Sequence, residues 1–168
     1  MKQIFAIAFI MLFTITGSFA KNRVSKHTTV KNDLISITYG QPSKKGRVIF
    51  SKDGLVPYGQ VWRAGADEAT EITVKKDVTF GGKQLKAGTY TLFTVPYKGE
   101  WKIILNSKLG QWGSFEYEAV KSQNVLETFS AIKTTNKPVE TFTITLQKDG
   151  FLMEWDQVAV PVAVKPIN

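Results

Sequence analysis

The sequence predicts an all-β protein, an antiparallel β-sandwich with jelly-roll-like connections and about eight or nine strands; a closed β-barrel is the alternative. Three observations predict it. Apolar residues recur with a period of two, which gathers them on one face of each strand. Turn-forming pairs separate these runs at near-regular intervals. Beyond the N-terminal apolar run, no stretch of ten residues has helical periodicity.

The elements follow in chain order. Residues 1–20, MKQIFAIAFIMLFTITGSFA, contain Lys2, an apolar run from Ile4 to Phe13, and a small-residue end at Gly17, Ser18 and Ala20. Charged start, apolar middle and small end predict a secretory signal peptide cut near Ala20. The run of ten apolar residues falls well short of the roughly 20 that a spanning helix needs. The expected mature protein is therefore exported, periplasmic or extracellular, with no membrane span. Residues 21–33 read as a basic, flexible N-terminal segment, and 34–168 as a single β-sandwich domain.

Within that domain, Ile35, Ile37 and Tyr39 alternate with Ser36 and Thr38. Residues 43–70 fit strands poorly, because Gly46, Gly54, Pro57, Gly59 and Gly65 interrupt them. A long loop on a small rigid fold is where binding residues tend to be carried. Ile72 and Val74 resume the alternation, and Gly81-Gly82 joins a run ending at Phe80 to one restarting at Gln84. Gly88–Val95 is apolar on both faces, which predicts a central strand. Lys98-Gly99 then turns the chain into the Trp101, Ile103, Leu105 face. Phe142, Ile144 and Leu146 alternate with Thr141, Thr143 and Thr145 and lead to Asp149-Gly150, a strong hairpin signal. Phe151, Met153 and Trp155 continue on odd positions, but Val158, Val160, Val162 and Val164 fall on even ones. The change of phase predicts a bulge at Asp156-Gln157, and Pro161 predicts an edge strand.

Charge is uneven. The chain has 22 Lys+Arg against 14 Asp+Glu, formally +8, and removal of Lys2 with the signal leaves +7. Between Lys21 and Arg63 nine basic residues face only Asp33 and Asp53, whereas from Ala64 onward twelve Lys balance twelve acids. The excess belongs to the first quarter of the mature chain and creates a one-sided field if those residues cluster. Outside the cytoplasm this points to an anionic glycan, a lipid head group or an acidic protein surface, and away from nucleic acid.

The absence of cysteine excludes disulfides, thiolate metal sites and a Cys nucleophile. The single His27 sits in the basic segment, a poor place for a positioned base. No GxGxxG, Walker, HExxH, GxSxG or EF-hand pattern occurs, so no cofactor or metal is expected. Ser130 and Lys133 match S-x-x-K, but on a strand these positions point to opposite faces. The carboxylate pairs Glu116/Glu118 and Glu154/Asp156 fit solvated strand faces. What remains is the aromatic and Arg content of the irregular regions: Tyr58, Trp62, Arg63 and Trp112. Indoles and phenols stack on sugar rings or plug small cores, and Arg holds carboxylate or phosphate bidentately.

The segments YGQPSKKGRVIF (39–50), LVPYGQVWRAGADEAT (55–70), LKAGTYTLFTVP (85–96) and EWKIILN…QWGSFEY (100–117) are similar, in order and spacing, to a bacterial family called domain of unknown function 2911. The resemblance covers about Ile35 to Val164. It implies an exported protein and no particular activity. The family pattern often has Thr at position 64, Asn at 67 and Ser-Arg at 40–41, where this chain has Ala64, Asp67 and Gly40-Gln41. Arg47, Tyr58, Trp62, Arg63, Glu68, Thr70 and Trp112 carry over intact, and Glu68 with the two arginines suggests an ion network.

The leading expectation is a non-enzymatic binding or envelope-associated module for a glycan or anionic ligand, through Arg47, Tyr58, Trp62, Arg63, Glu68 and Trp112. One alternative is a carbohydrate-active hydrolase or lyase using Glu68 with Arg63 or Arg47. Another is a structural partner in an oligomer or complex.

Overall fold

The computed structural model describes residues 22–167, so the expected signal peptide lies outside the described residues. In chain order the strands are β1 (Lys26–Lys31), β2 (Ile35–Gln41), β3 (Phe50–Ser51), β4 (Val56–Pro57), β5 (Thr70–Val74), β6 (Val78–Phe80), β7 (Lys83–Leu85), β8 (Gly88–Pro96) and β9 (Glu100–Asn106). A one-turn helix α1 (Tyr117–Val120) follows, then β10 (Asn124–Ala131), β11 (Lys133–Gln147) and β12 (Gly150–Pro166). One sheet has six strands in the order β1-β2-β5-β8-β9-β10, and its partner has four in the order β11-β12-β6-β7. Both are antiparallel throughout. Neither closes on itself, so the architecture is the sandwich and not the barrel. The chain leaves the larger sheet after β5, makes the β6–β7 hairpin in the smaller, and returns as β8 beside β5. Among the described residues no helix is long and apolar enough to cross a membrane.

The period-two pattern is what fills the space between the sheets. Ile35, Ile37, Tyr39, Ile72 and Val74 face Phe142, Ile144, Phe151, Met153 and Trp155 across it, all buried. Burying a side chain of this size contributes about 1.5–3 kcal/mol. Tyr39 also spans the gap with a hydrogen bond: its hydroxyl accepts the Ile144 N–H at 2.9 Å. The two-faced strand is central as expected. Leu92 points into the main core, while Phe93 and Val95 join Ile104 and Tyr117 in a smaller cluster on the outer face.

The turns follow their residues. Gly81 and Gly82, at φ +54° and +84°, form the two-residue β6–β7 connection that left-handed backbone requires. Asp156 takes φ +52° where the ladder between β11 and β12 shifts, which is the expected bulge.

Three expectations need correction. Residues 26–31, read as part of a flexible tail, form β1 and pair with β2 from Lys26↔Gln41 to Lys31↔Ser36. Thr28, Thr29 and Val30 supply the β-branched pattern, and Asn32 supplies the turn: its side-chain oxygen accepts the N–H groups of Leu34 and Ile35. The β11–β12 hairpin turns on Lys148-Asp149, with Gly150 already paired to Gln147. Gly150 is needed for approach, since a Cβ there would lie 1.9 Å from the Val162 carbonyl oxygen. Finally, β12 lies between β11 and β6, not at an edge. Pro161 is tolerated because it falls between Ala159, paired with β11, and Val164, paired with β6.

Candidate functional site

Residues 43–69 hold only the short parallel β3–β4 pair and isolated bridges, so side chains and turns fix their course. Trp62 is the anchor. Its N–H donates to Thr94 O at 2.7 Å, and its carbonyl accepts the Thr94 N–H at 2.9 Å. The indole N–H donates to Gly65 O at 3.2 Å, and the ring stacks on Trp155 with centroids 5.7 Å apart. Phe142, Trp101 and Phe50 meet it edge-on. At 8% exposure Trp62 is a core residue, and it offers no ring face to a sugar. After it the chain turns sharply, with Ala64 and Asp67 at φ +50° and +61°. Thr70 steadies this turn by donating its hydroxyl to Ala64 O at 2.7 Å.

Above the Trp62–Trp155 stack lies a cleft of about 780 Å³. Lys26, Lys45, Arg47 and Arg63 line it, and among the described residues Asp67 is the one acid in the lining. Four cations against one carboxylate leave the wall formally at +3. The Arg63 guanidinium makes no hydrogen bond or salt bridge among the described residues, and its buried Nε has no partner. Burial lowers its pKa, while the charge of Asp67 works in the opposite direction. Arg47 is exposed, and it also braces its own loop: Nε donates to Lys44 O at 3.0 Å and Nη2 to Ser43 O at 2.6 Å.

Asp67 is already occupied. Its carboxylate accepts the Ser25 N–H at 2.9 Å and the Val24 N–H at 3.1 and 3.2 Å, and His27 Nε2 lies 3.2 Å away. Burial pushes its pKa up, but the two amides and His27 together outweigh that and hold it below the ordinary value. Next to it, Arg23 Nε bridges both oxygens of Glu68 at 2.8 and 3.0 Å. Residues 23–27 are thus strapped to Asp67-Glu68, and Val24, Ser25 and Lys26 become one wall of the cleft.

Of the sequence candidates, Arg47, Trp62 and Arg63 meet at the cleft. Tyr58, half-buried, has its N–H on Ser51 O and is not part of the wall. The Glu68 carboxylate faces Arg23 and His27, so the suggested network with Arg47 and Arg63 does not form. Trp112 is half-buried, its backbone bridging Glu68, and it too stands outside the wall. His27 is held against two carboxylates in an ordered strand, contrary to its expected mobility. In the S-x-x-K match, Ser130 donates to the Pro161 carbonyl. Sequence reasoning missed Lys26, Lys45 and Trp155 as parts of the site. The available signal was the charge excess, because all four cleft cations come from its stretch, residues 21–63. Among the described residues no group of three or more His, Asp or Glu is placed to hold a metal ion.

Among curated proteins and solved structures, none matches this chain. A family model described as "Protein of unknown function (DUF2911)" matches residues 21–164. With nearly all of the sandwich and every wall of the cleft inside that match, the chain belongs to the DUF2911 family of proteins of unknown function.

Proposed function

We propose that the protein is an exported, non-enzymatic binding module whose cleft takes the anionic group of its ligand. The observation that carries this reading is the uncompensated charge of the wall: Lys26, Lys45, Arg47 and Arg63 against an Asp67 that already accepts backbone N–H groups. A carboxylate, phosphate or sulfate would give Arg63 the paired acceptor it lacks. An anionic glycan satisfies the same chemistry through its acid groups, though not by stacking on Trp62. The non-enzymatic half rests on geometry. A general acid or base must reach the substrate; the Glu68 carboxylate is turned to Arg23, and Asp67 is capped.

The test is calorimetric titration of the mature protein with inorganic pyrophosphate and with oligogalacturonate, at low and high salt. Binding is expected to weaken with salt, and Arg63→Gln is expected to lower affinity by about tenfold or more. Absence of heat with both anions, or an Arg63→Gln variant that binds like wild type, rejects the proposal.

A further inference from the structure

The cleft is much larger than an inorganic anion, and exposed apolar side chains stand among the polar residues that line it. Nine large hydrophobic residues are exposed in the described chain. Scattered singly, such residues are ordinary on any soluble protein. Two of the nine line the cleft, and two more lie next to residues that do. Val24 (92% exposed) and Leu55 (45%) line the cleft itself. Val48 (66%) adjoins Arg47, and its carbonyl accepts the Leu55 N–H at 3.0 Å. Phe115 (79%) stands beside the Arg63 guanidinium: a Cβ built on Gly113 would lie 2.7 Å from the Phe115 ring and 3.1 Å from Arg63 Nη1. Apolar side chains left exposed at a polar cleft give a ligand's apolar part a place to lie.

Resting on the anion reading above, we infer that the ligand is amphiphilic, a single molecule with an anionic head at Arg63 and an alkyl or acyl chain along Leu55, Val24, Val48 and Phe115. The volume of about 780 Å³ lies in the usual range for one small-molecule ligand, roughly 300–1,000 Å³. Charge selects the head and the rim selects the tail, so neither part alone fills the site. A free fatty acid and a monoalkyl phosphate present the same chemistry; the phosphate series is the more soluble probe.

The experiment titrates mature protein with n-alkyl phosphates from methyl to decyl, each below its aggregation concentration. Affinity is expected to rise with chain length, by up to about fourfold for each methylene fully buried. The Leu55→Ser/Phe115→Ser double variant, altered only at exposed positions, is expected to flatten that rise. Arg63→Gln is expected to weaken the whole series. Equal binding of methyl and decyl phosphate overturns the inference while leaving the anion site standing. So does binding of oligogalacturonate alone. Capture by phosphatidylglycerol vesicles that Arg63→Gln does not affect, with no binding of monomeric decyl phosphate, also overturns it, in favour of a membrane surface. Failure of every anion removes the site itself.

Discussion

On the inner side of the Trp62–Arg63 backbone five rings, Phe50, Trp62, Trp101, Phe142 and Trp155, meet at centroid distances from 4.9 to 6.2 Å. On the other side four cations share a cleft with one acid. The first region is filled, so each ring is held by its neighbours and its removal leaves a void. The second is open, and its like charges repel one another. Packing therefore governs what happens when Trp62 changes, and electrostatics what happens when Arg63 changes, one residue later.

The largest break should come from the filled side. Trp62→Ala is expected to cost about 3–5 kcal/mol through lost burial and the cavity left behind, measured by urea denaturation. A loss under about 1 kcal/mol would mean the rings collapse into the gap and the interior is not specifically packed. Asp67→Ala comes next. It strips the Val24 and Ser25 amides of their acceptor, for a loss of about 1–3 kcal/mol, and tryptic cleavage after Arg23 and Lys26 should accelerate. Because the folded Asp67 pKa is depressed, its stabilisation is complete above the ordinary carboxylate value near 3.9 and is lost as pH falls through the lower folded value. The gap between wild type and Asp67→Asn should thus be full above about pH 4 and close in stronger acid; a gap that does not change with pH would show that Asp67 does not titrate as described.

On the open side the sign changes. Arg63→Met removes a half-buried cation that has no ion-pair partner among the described residues, and should leave stability unchanged or raise it by about 1 kcal/mol at most. Thermal melting decides this, and a clear destabilisation would make Arg63 a structural residue. The smallest effect belongs to Arg47→Ala. It loses two exposed bonds to its own loop and should cost about 0.5 kcal/mol. The check is again thermal melting, where a loss of several degrees would show that loop 43–47 depends on it.

How far the sequence carried varies with the range of the interactions. Ile35, Ile37 and Tyr39, or Phe142 and Ile144, announce their faces through neighbours two residues away, so the strands and the core were legible. The Asp156 bulge was legible as a change of phase. The strap was not, because Lys26 and Lys31 suggested solvation, while what orders the segment is pairing with residues 36–41 and capping by Asp67, about 40 positions away. For the same reason no local pattern pairs Glu68 with Arg23, 45 positions away, in preference to Arg47 or Arg63. The cleft draws its lining from residues as distant as Val24 and Trp155, and no local pattern encodes that meeting. Only the charge asymmetry, summed over residues 21–63, hinted at it.

The stacked pair Trp62 and Trp155 touches both the interior and the floor of the cleft. Two indoles stacked at that separation, with their planes 19° apart, couple their electronic transitions just beneath the cleft. The molecule thus carries its own optical gauge. A change in the dichroism of the coupled indoles would report an occupied cleft without any added label, and would let compounds be screened on the native chain.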